Sequence, residues 1–417
     1  MVKMNVKTNK ISIEEEFEGF FEKTTYSNKF DNFNKEYPFK EIYTKIDEFK
    51  LKNIKIVDFA TGDPIAKPPK TAISSCIKSL KKGRSERYPN PTGSKEFIKN
   101  LLTHIKKVWK IKVSENNICS SNGVKEAIFS FVMAFTNPGD YCIIPTPAYP
   151  IYKTATIWAG AKPYFVPLLK KNDYLIDFNS IPKNIIKKTK IIFINYPNNP
   201  TGKIPDDNYY KKLVLWAKLN NIIIVHDEVY KDFTKDNKPA KSILNFTMDN
   251  VISFYSLSKI YAMQGWRIGF VVGDEKLIKY YKKYKIYTDS GTPTFIQDAS
   301  SSVLSNLKLK TRLQIRFKKS QELILNAFRK LGWEIEDTDS TFYVWQKIPN
   351  KFKDGSQIMA RFIENDIATL VLPGNWITES INKKNIGKKY IRIACISNIS
   401  DTKLFVKRIL KAKDLYV

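Results

Sequence analysis

Between residues 141 and 272 the chain repeats one pattern: a short, nearly continuous apolar run followed by a stretch with helical spacing. The runs are Tyr141–Ile144, Lys162–Val166, Ile191–Asn195, Ile222–His226, Val251–Tyr255 and Ile268–Val272. A strand with one wet face alternates apolar and polar residues; a run apolar at every position is covered on both faces. Such strands, joined by helices like Asp206–Asn220, predict an α/β fold with a mostly parallel sheet flanked by helices. In open sheets of this kind ligands sit beyond the carboxyl ends of the strands.

The flanking sequence differs. Residues 1–57 are polar and aromatic, with Tyr37-Pro38-Phe39-Lys40 opening a helix over 41–51. A short strand, Asn117–Ser121, precedes Asn122-Gly123 and a helix over 125–135, and helical periodicity also runs through 70–81 and 94–110. After Thr292-Pro293 come long amphipathic helices over 294–331, then Phe342-Tyr343-Val344-Trp345, a helix over 356–365 and the strand Tyr390–Ala394. The expected organisation is a large domain over 58–291 and C-terminal helices with a smaller α+β domain over 292–417, which the N-terminal segment 1–57 joins.

Composition sets limits. The net charge of +29 comes from 70 basic residues against 41 acidic ones, and the basic residues are overwhelmingly Lys, spread along the whole length. A nucleic-acid footprint gathers basic residues on one face with Arg prominent, so no dedicated nucleic-acid partner is expected. Cys76, Cys119, Cys142 and Cys395 form no C-x-x-C pair, and with two histidines no metal site is expected. No apolar run approaches the roughly 18 residues of a membrane span, and the first residues lack a secretory h-region, which suits a cytoplasmic protein without membrane attachment.

Chemical capacity gathers just past the apolar runs. After Val251–Tyr255 comes Ser256-Leu257-Ser258-Lys259, with Gly265-Trp266-Arg267-Ile268-Gly269 close behind. Hydroxyls and a guanidinium fork can hold a phosphate, and a lysine amine can capture a carbonyl. Alone, the stretch also fits a solvated turn. After Ile191–Ile194 comes Asn195-Tyr196-Pro197-Asn198-Asn199-Pro200-Thr201-Gly202, a rigid turn able to offer the Asn199 amide, or only a turn. After Ile222–Val225 comes His226-Asp227-Glu228-Val229-Tyr230. A carboxylate at the end of so apolar a strand needs a partner, such as a cationic ring nitrogen; His226 itself reads as a packed strand residue. Ser121-Asn122-Gly123-Val124-Lys125 opens a helix whose free N–H groups can bind an anion, and Ala60-Thr61-Gly62-Asp63-Pro64 is a turn that brings backbone close to something.

Taken together and in this order, these motifs resemble the class I and II aminotransferases of pyridoxal 5′-phosphate fold type I, over roughly residues 37–397. The resemblance implies that Lys259 holds the cofactor through its amine and moves the substrate proton, and that Asp227 keeps the pyridine nitrogen protonated. It implies that Tyr230 and Asn199 bond the ring oxygen, while Ser256, Ser258, Arg267 and the backbone of Gly123, Val124 and Lys125 hold the phosphate. Tyr149 would stack on the ring, with Tyr152 and Gly62 nearer the substrate beside Asn199. Tyr88 would reach the phosphate of a neighbouring subunit, which implies a homodimer with shared sites. Arg392 would clamp the substrate α-carboxylate. The partners implied are small amino acids and oxo acids, with glutamate and 2-oxoglutarate as one pair. One departure stands out: no histidine near residue 140 is placed to support Asp227.

Within the family, segments such as Pro145-Thr146-Pro147-Ala148-Tyr149 and Thr341-Phe342-Tyr343-Val344-Trp345 resemble the enzymes that form diaminopimelate for lysine synthesis. Tyr287-Thr288-Asp289-Ser290-Gly291 is closer to the LL-diaminopimelate type; Phe59-Ala60-Thr61-Gly62-Asp63-Pro64 is closer to the N-succinyldiaminopimelate type. Aspartate, alanine or aromatic transamination and, as another class, a lyase on the same cofactor are the alternatives. The segment 375–389 between Pro373-Gly374 and Arg392 is longer than the pattern, which leaves the substrate end open.

Overall fold

A computed structural model of the chain describes residue 29 and residues 39–417 apart from Arg84, Ser305, Leu307 and Asp337. The chain divides into two compact units, Met1–Lys40 and Glu41–Val417, and the second holds every strand named here. Of the N-terminal segment expected to join the small domain, residues 1–28 and 30–38 lie outside the described residues.

The strands in chain order are β1 (Val57–Asp58), β2 (Ile118–Ser121), β3 (Tyr141–Thr146), β4 (Lys162–Pro167), β5 (Thr189–Asn195), β6 (Ile223–Asp227), β7 (Val251–Ser256), β8 (Gly269–Gly273), β9 (Tyr343–Lys347), β10 (Thr369–Leu370), β11 (Leu372–Pro373) and β12 (Tyr390–Ala394). Seven form one sheet in the order β2-β8-β7-β6-β5-β3-β4. Strands β3 to β7 are mutually parallel, and β8 runs antiparallel to both β7 and β2. A smaller antiparallel sheet has the order β11-β12-β9, and β1 pairs in parallel with β10.

The doubly apolar runs are explained by what covers them. Ile192, Ile194 and Ile224 pack into one buried cluster, while Ile191, Phe193, Ile223 and Val225 pack into another. Successive residues of one strand therefore feed opposite faces, as a period of two requires. Each such buried side chain contributes roughly 1.5–3 kcal/mol relative to exposure, so both faces resist a change of register.

Local signals set the helix starts. Ser94 and Asp206 cap the helices Lys95–His104 and Asp207–Leu219, accepting from Phe97 N and Tyr209 N at 3.2 and 2.8 Å. The stretch over 94–110 ends in a π-turn, Ile105–Trp109, closed by Lys110 at φ 59°. The amphipathic stretch after residue 293 is two helices, Thr294–Leu304 and Lys308–Lys330. At the working end of the sheet, Asn195, Asp227 and Ser256 are the last residues of neighbouring strands β5, β6 and β7, with Asn195 directly opposite Asp227. Polar residues at these three ends open one cleft.

Candidate active site

Asp227 is 3% exposed. Its Oδ2 accepts from the Tyr152 hydroxyl at 2.6 Å and its Oδ1 from Val229 N at 3.3 Å, while Asn195 Nδ2 donates to its backbone oxygen at 2.9 Å. Burial pushes its carboxyl up from 3.8 to about 6, although both hydrogen bonds pull the other way. A cation beside it would bring it back down. Tyr152, expected at the substrate, is fully buried, with its ring stacked at 4.8 Å on Phe193. Its place is therefore against the carboxylate, because helix Ile151–Trp158 lays it over the sheet. It occupies the supporting position for which the sequence offered no histidine. Tyr149 is half-buried at the cleft, its ring perpendicular to that of Tyr152 at 6.2 Å.

On the next strand, the Asn195 side chain accepts from Asn199 N at 2.8 Å and so fixes the turn. Asn199 Nδ2 lies 3.5 Å from the Tyr230 hydroxyl, which is 3.1 Å from that of Tyr343. Arg392, on β12, donates from Nη1 to Asn199 Oδ1 at 3.2 Å and from Nη2 to Ala60 O at 2.8 Å, with its guanidinium 4.5 Å from the centre of the Tyr343 ring. Its Nε is buried without a partner among the described residues. This leaves a donor for an incoming carboxylate.

Lys259, just past β7, donates to Gly62 O at 2.5 Å. Burial, with the positive charges of Arg392 and Arg267, lowers its amine from 10.5 to about 8 despite Asp63. The unprotonated form is thus far more accessible near neutrality than on a surface lysine. Gly62 must be glycine: a Cβ there would run into the Tyr343 hydroxyl.

The anion cup closes the far side. Ser256 caps the short helix Leu257–Ile260: its hydroxyl oxygen accepts from Ser258 N at 3.0 Å and its O–H donates to Ser258 Oγ at 2.8 Å. Gly123, at φ 89°, stands before helix Val124–Phe135, whose first N–H groups have no partner within the helix. Arg267, exposed and at φ 52°, donates to Gln264 O at 2.7 Å and Asn122 O at 3.3 Å. A Cβ on Gly123 would collide with that guanidinium. Ser121 Oγ, fully buried on β2 below Gly123, has no partner among the described residues. Val124 is buried and the Lys125 side chain exposed, so backbone is what this turn presents.

Lys259, Asp227, Tyr230, Asn199, Arg392 and Gly62 thus meet within one chain, and Ser256, Ser258, Arg267 and Gly123 form the adjoining cup. Tyr88 does not join them; it is 87% exposed. His226 faces the other side of β6, its Nε2 2.9 Å from Tyr196 O. Two further residues belong to the site, Tyr343 and Asn195. Tyr343 arrives from the second sheet, and only its place in an aromatic run marked it. Asn195 carries no signal in the sequence beyond opening a turn.

An electron-poor aromatic cation carrying a phosphate fits these residues: a carboxylate poised for a cation, a low-pKa amine, and donors left over at Ser121 and Arg392. Among the described residues no cluster of His, Cys, Asp or Glu could hold a metal ion, and no helix is long and apolar enough to cross a membrane.

Comparison with known proteins points to one family. The family model for aminotransferase class I and II matches residues 54–409. The LL-diaminopimelate aminotransferase of Aquifex aeolicus is 37% identical over 363 residues, covering 86% of this chain and 92% of that protein. That of Halothermothrix orenii is 33% identical, with 86% and 91% covered. Among solved structures, substrate-bound BacF from Bacillus subtilis superposes with a TM-score of 0.84 at 29% identity, covering 91% of this chain and 95% of that one. An aminotransferase from Staphylococcus aureus gives 0.79 at 26% identity, with 94% and 100% covered.

Proposed function

The chain belongs to the class I and II aminotransferases, which are pyridoxal 5′-phosphate enzymes of fold type I, and we propose that it forms LL-diaminopimelate in lysine synthesis with glutamate as amino donor. The observation that carries the choice of acceptor is the identity of 30–37% over most of the chain to relatives of that name.

The cofactor, when bound, supplies an aldehyde for amines and a ring that draws off electron density. The rest falls to this chain. Lys259 holds the cofactor and then carries the proton to and from the substrate α-carbon, a task suited to an amine titrating at about 8. Asp227, oriented by Tyr152, keeps the ring nitrogen protonated. Tyr230 and Asn199 bond the ring oxygen, and Tyr149 covers the ring face. Ser256, Ser258, Arg267 and the N–H groups at residues 123–125 grip the phosphate. Arg392 holds the substrate α-carboxylate from its free edge. Residues 58–291 act as the cofactor-binding part, with 292–417 as the smaller part that brings Arg392.

Two further assignments belong to the same reading. The working form is a homodimer in the cytoplasm, with Tyr88 reaching the partner's phosphate. The exposure of Tyr88, Ile73, Ile77 and Tyr287 supports the homodimer, and light scattering giving a monomer at working concentration would overturn it. For the reaction, the holoenzyme is offered glutamate with tetrahydrodipicolinate, N-succinyl-2-amino-6-oxopimelate, oxaloacetate or pyruvate. The reading expects the highest kcat/KM with tetrahydrodipicolinate. Preference for another acceptor overturns it.

A further inference from the structure

The two cations that handle substrate, Lys259 and Arg392, come from different sheets, yet both are held by one short loop. Arg392 Nη2 donates to Ala60 O at 2.8 Å, and Lys259 Nζ donates to Gly62 O at 2.5 Å. The loop is shaped by one side chain. Asp58 Oδ1 accepts from Ala60 N at 2.8 Å and Thr61 N at 3.2 Å, while its Oδ2 accepts from the Thr61 hydroxyl at 2.7 Å. An aspartate that bonds backbone two and three residues ahead imposes a turn on it.

The stem of this loop is fixed on both sides. Asp58 pairs with Leu370, Phe59 N donates to Leu370 O at 2.9 Å, Ala394 N donates to Phe59 O at 2.8 Å, and the Ser397 hydroxyl reaches Asp58 O at 3.1 Å. Beyond Phe59, the backbone N–H groups of Ala60 and Thr61 both go to the Asp58 carboxylate. Past the stem, then, the course of residues 60–62 rests on that carboxylate.

We propose that Asp58 is a positioning residue whose turn sets the spacing between the Arg392 guanidinium and the Lys259 amine. An α-amino acid fixes the separation between its carboxylate and the carbon that loses a proton. The anchor and the proton carrier must match that separation, and a misplacement of about 1 Å costs on the order of 10²-fold in rate. The inference rests on the roles proposed above for Lys259 and Arg392.

The test uses the holoenzyme variants Asp58→Asn, Asp58→Ala, Thr61→Val and, as a control, Arg392→Gln. Four quantities are measured: Tm, the Kd of the unreactive dicarboxylate maleate, the pH midpoint of the bound cofactor's visible absorbance, and kcat and KM in the glutamate half-reaction. Asn keeps an oxygen for the two N–H groups, so Asp58→Asn should stay within about threefold of the parent in Kd and kcat/KM. Asp58→Ala should lower kcat/KM about 10²-fold, in KM and kcat together, weaken maleate and move the absorbance midpoint. A folded Asp58→Ala with Kd and midpoint unchanged overturns the proposal, as does an Asn variant as impaired as the Ala one. If Asp58→Ala does not fold, Thr61→Val decides: maleate about threefold weaker at unchanged Tm is expected, and unchanged binding overturns it. Arg392→Gln separates the two levels. If it leaves maleate binding intact, the role of Arg392 fails; if it weakens binding while the Asp58 variants do not, only the turn proposal fails.

Discussion

Asp227 and Glu228 are adjacent, both almost wholly buried, and yet opposite in character. Asp227 faces the cleft with one phenol and one backbone N–H, and burial lifts it to about 6. Glu228 faces the interior behind the sheet. Its Oε2 takes the Lys231 ammonium at 2.8 Å; its Oε1 takes the hydroxyls of Ser253, at 2.7 Å, and Ser242, and stands 3.2 Å from His226 Nδ1. Lys231 in turn lies 5.1 Å over the Trp109 ring. Burial alone would raise Glu228, but Lys231 and His226 outweigh it and hold the carboxyl well below the usual range. A carboxylate that serves structure has its bonding capacity filled by the protein. One that serves chemistry is left short.

The largest effect that could break this contrast is on rate. Asp227→Asn, nearly isosteric, should lower kcat about 10³-fold while the Tm of the cofactor-free protein stays level or rises, since a short-partnered buried carboxylate costs stability. Unfolding melts beside steady-state rates check this. Next comes Lys231→Met, which strands Glu228 and should remove about 3–5 kcal/mol of unfolding free energy, with kcat of the folded fraction near that of the parent; urea unfolding measures it.

The pH dependence of the cofactor-free protein sharpens the contrast further. Asp227 binds its proton more tightly when folded, so its contribution falls as pH rises from 3.8 to about 6, a gap worth about 3 kcal/mol. Glu228 is displaced downward, so its contribution is full above the unfolded carboxyl value and is lost as pH falls through the folded one. The two slopes oppose each other. Asp227→Asn should therefore make the protein more sensitive to acid than the parent, as read by urea midpoints between pH 4 and 7, and Glu228→Gln should make it less so, as read by urea midpoints below pH 4.5. The smallest effect is that of Ser253→Ala, which removes one donor to Glu228: about 1 kcal/mol in stability and no change in kcat.

What could be read from the sequence follows the same division. Asn199, Asp227, Tyr230, Ser256, Ser258, Lys259 and Arg267 lie in short contiguous motifs at strand ends, where local chemistry announces them. Most strands were placed to within one or two residues because apolar runs are set by burial on both faces. The partners were less legible. Tyr152 reaches Asp227 from the helix after β3, which is not a neighbour of β6 in the sheet. Tyr343 meets Tyr230 from another sheet altogether. Such contacts depend on strand order, which spacing along one chain does not encode.

The floor of the anion cup is braced from beneath. The Lys285 ammonium, with no exposed surface, bonds Asp289 at 2.6 Å and lies 3.6 Å from Glu126. Glu126 accepts from Asn122 N at 2.9 Å, while the Asn122 amide is tied to Asp289 and Thr292 at 3.0 and 2.7 Å. Asn122 and Gly123 are therefore clamped before any phosphate arrives. A seat finished in advance asks for little ordering from its guest, so its grip on the phosphate is not spent on tidying the chain.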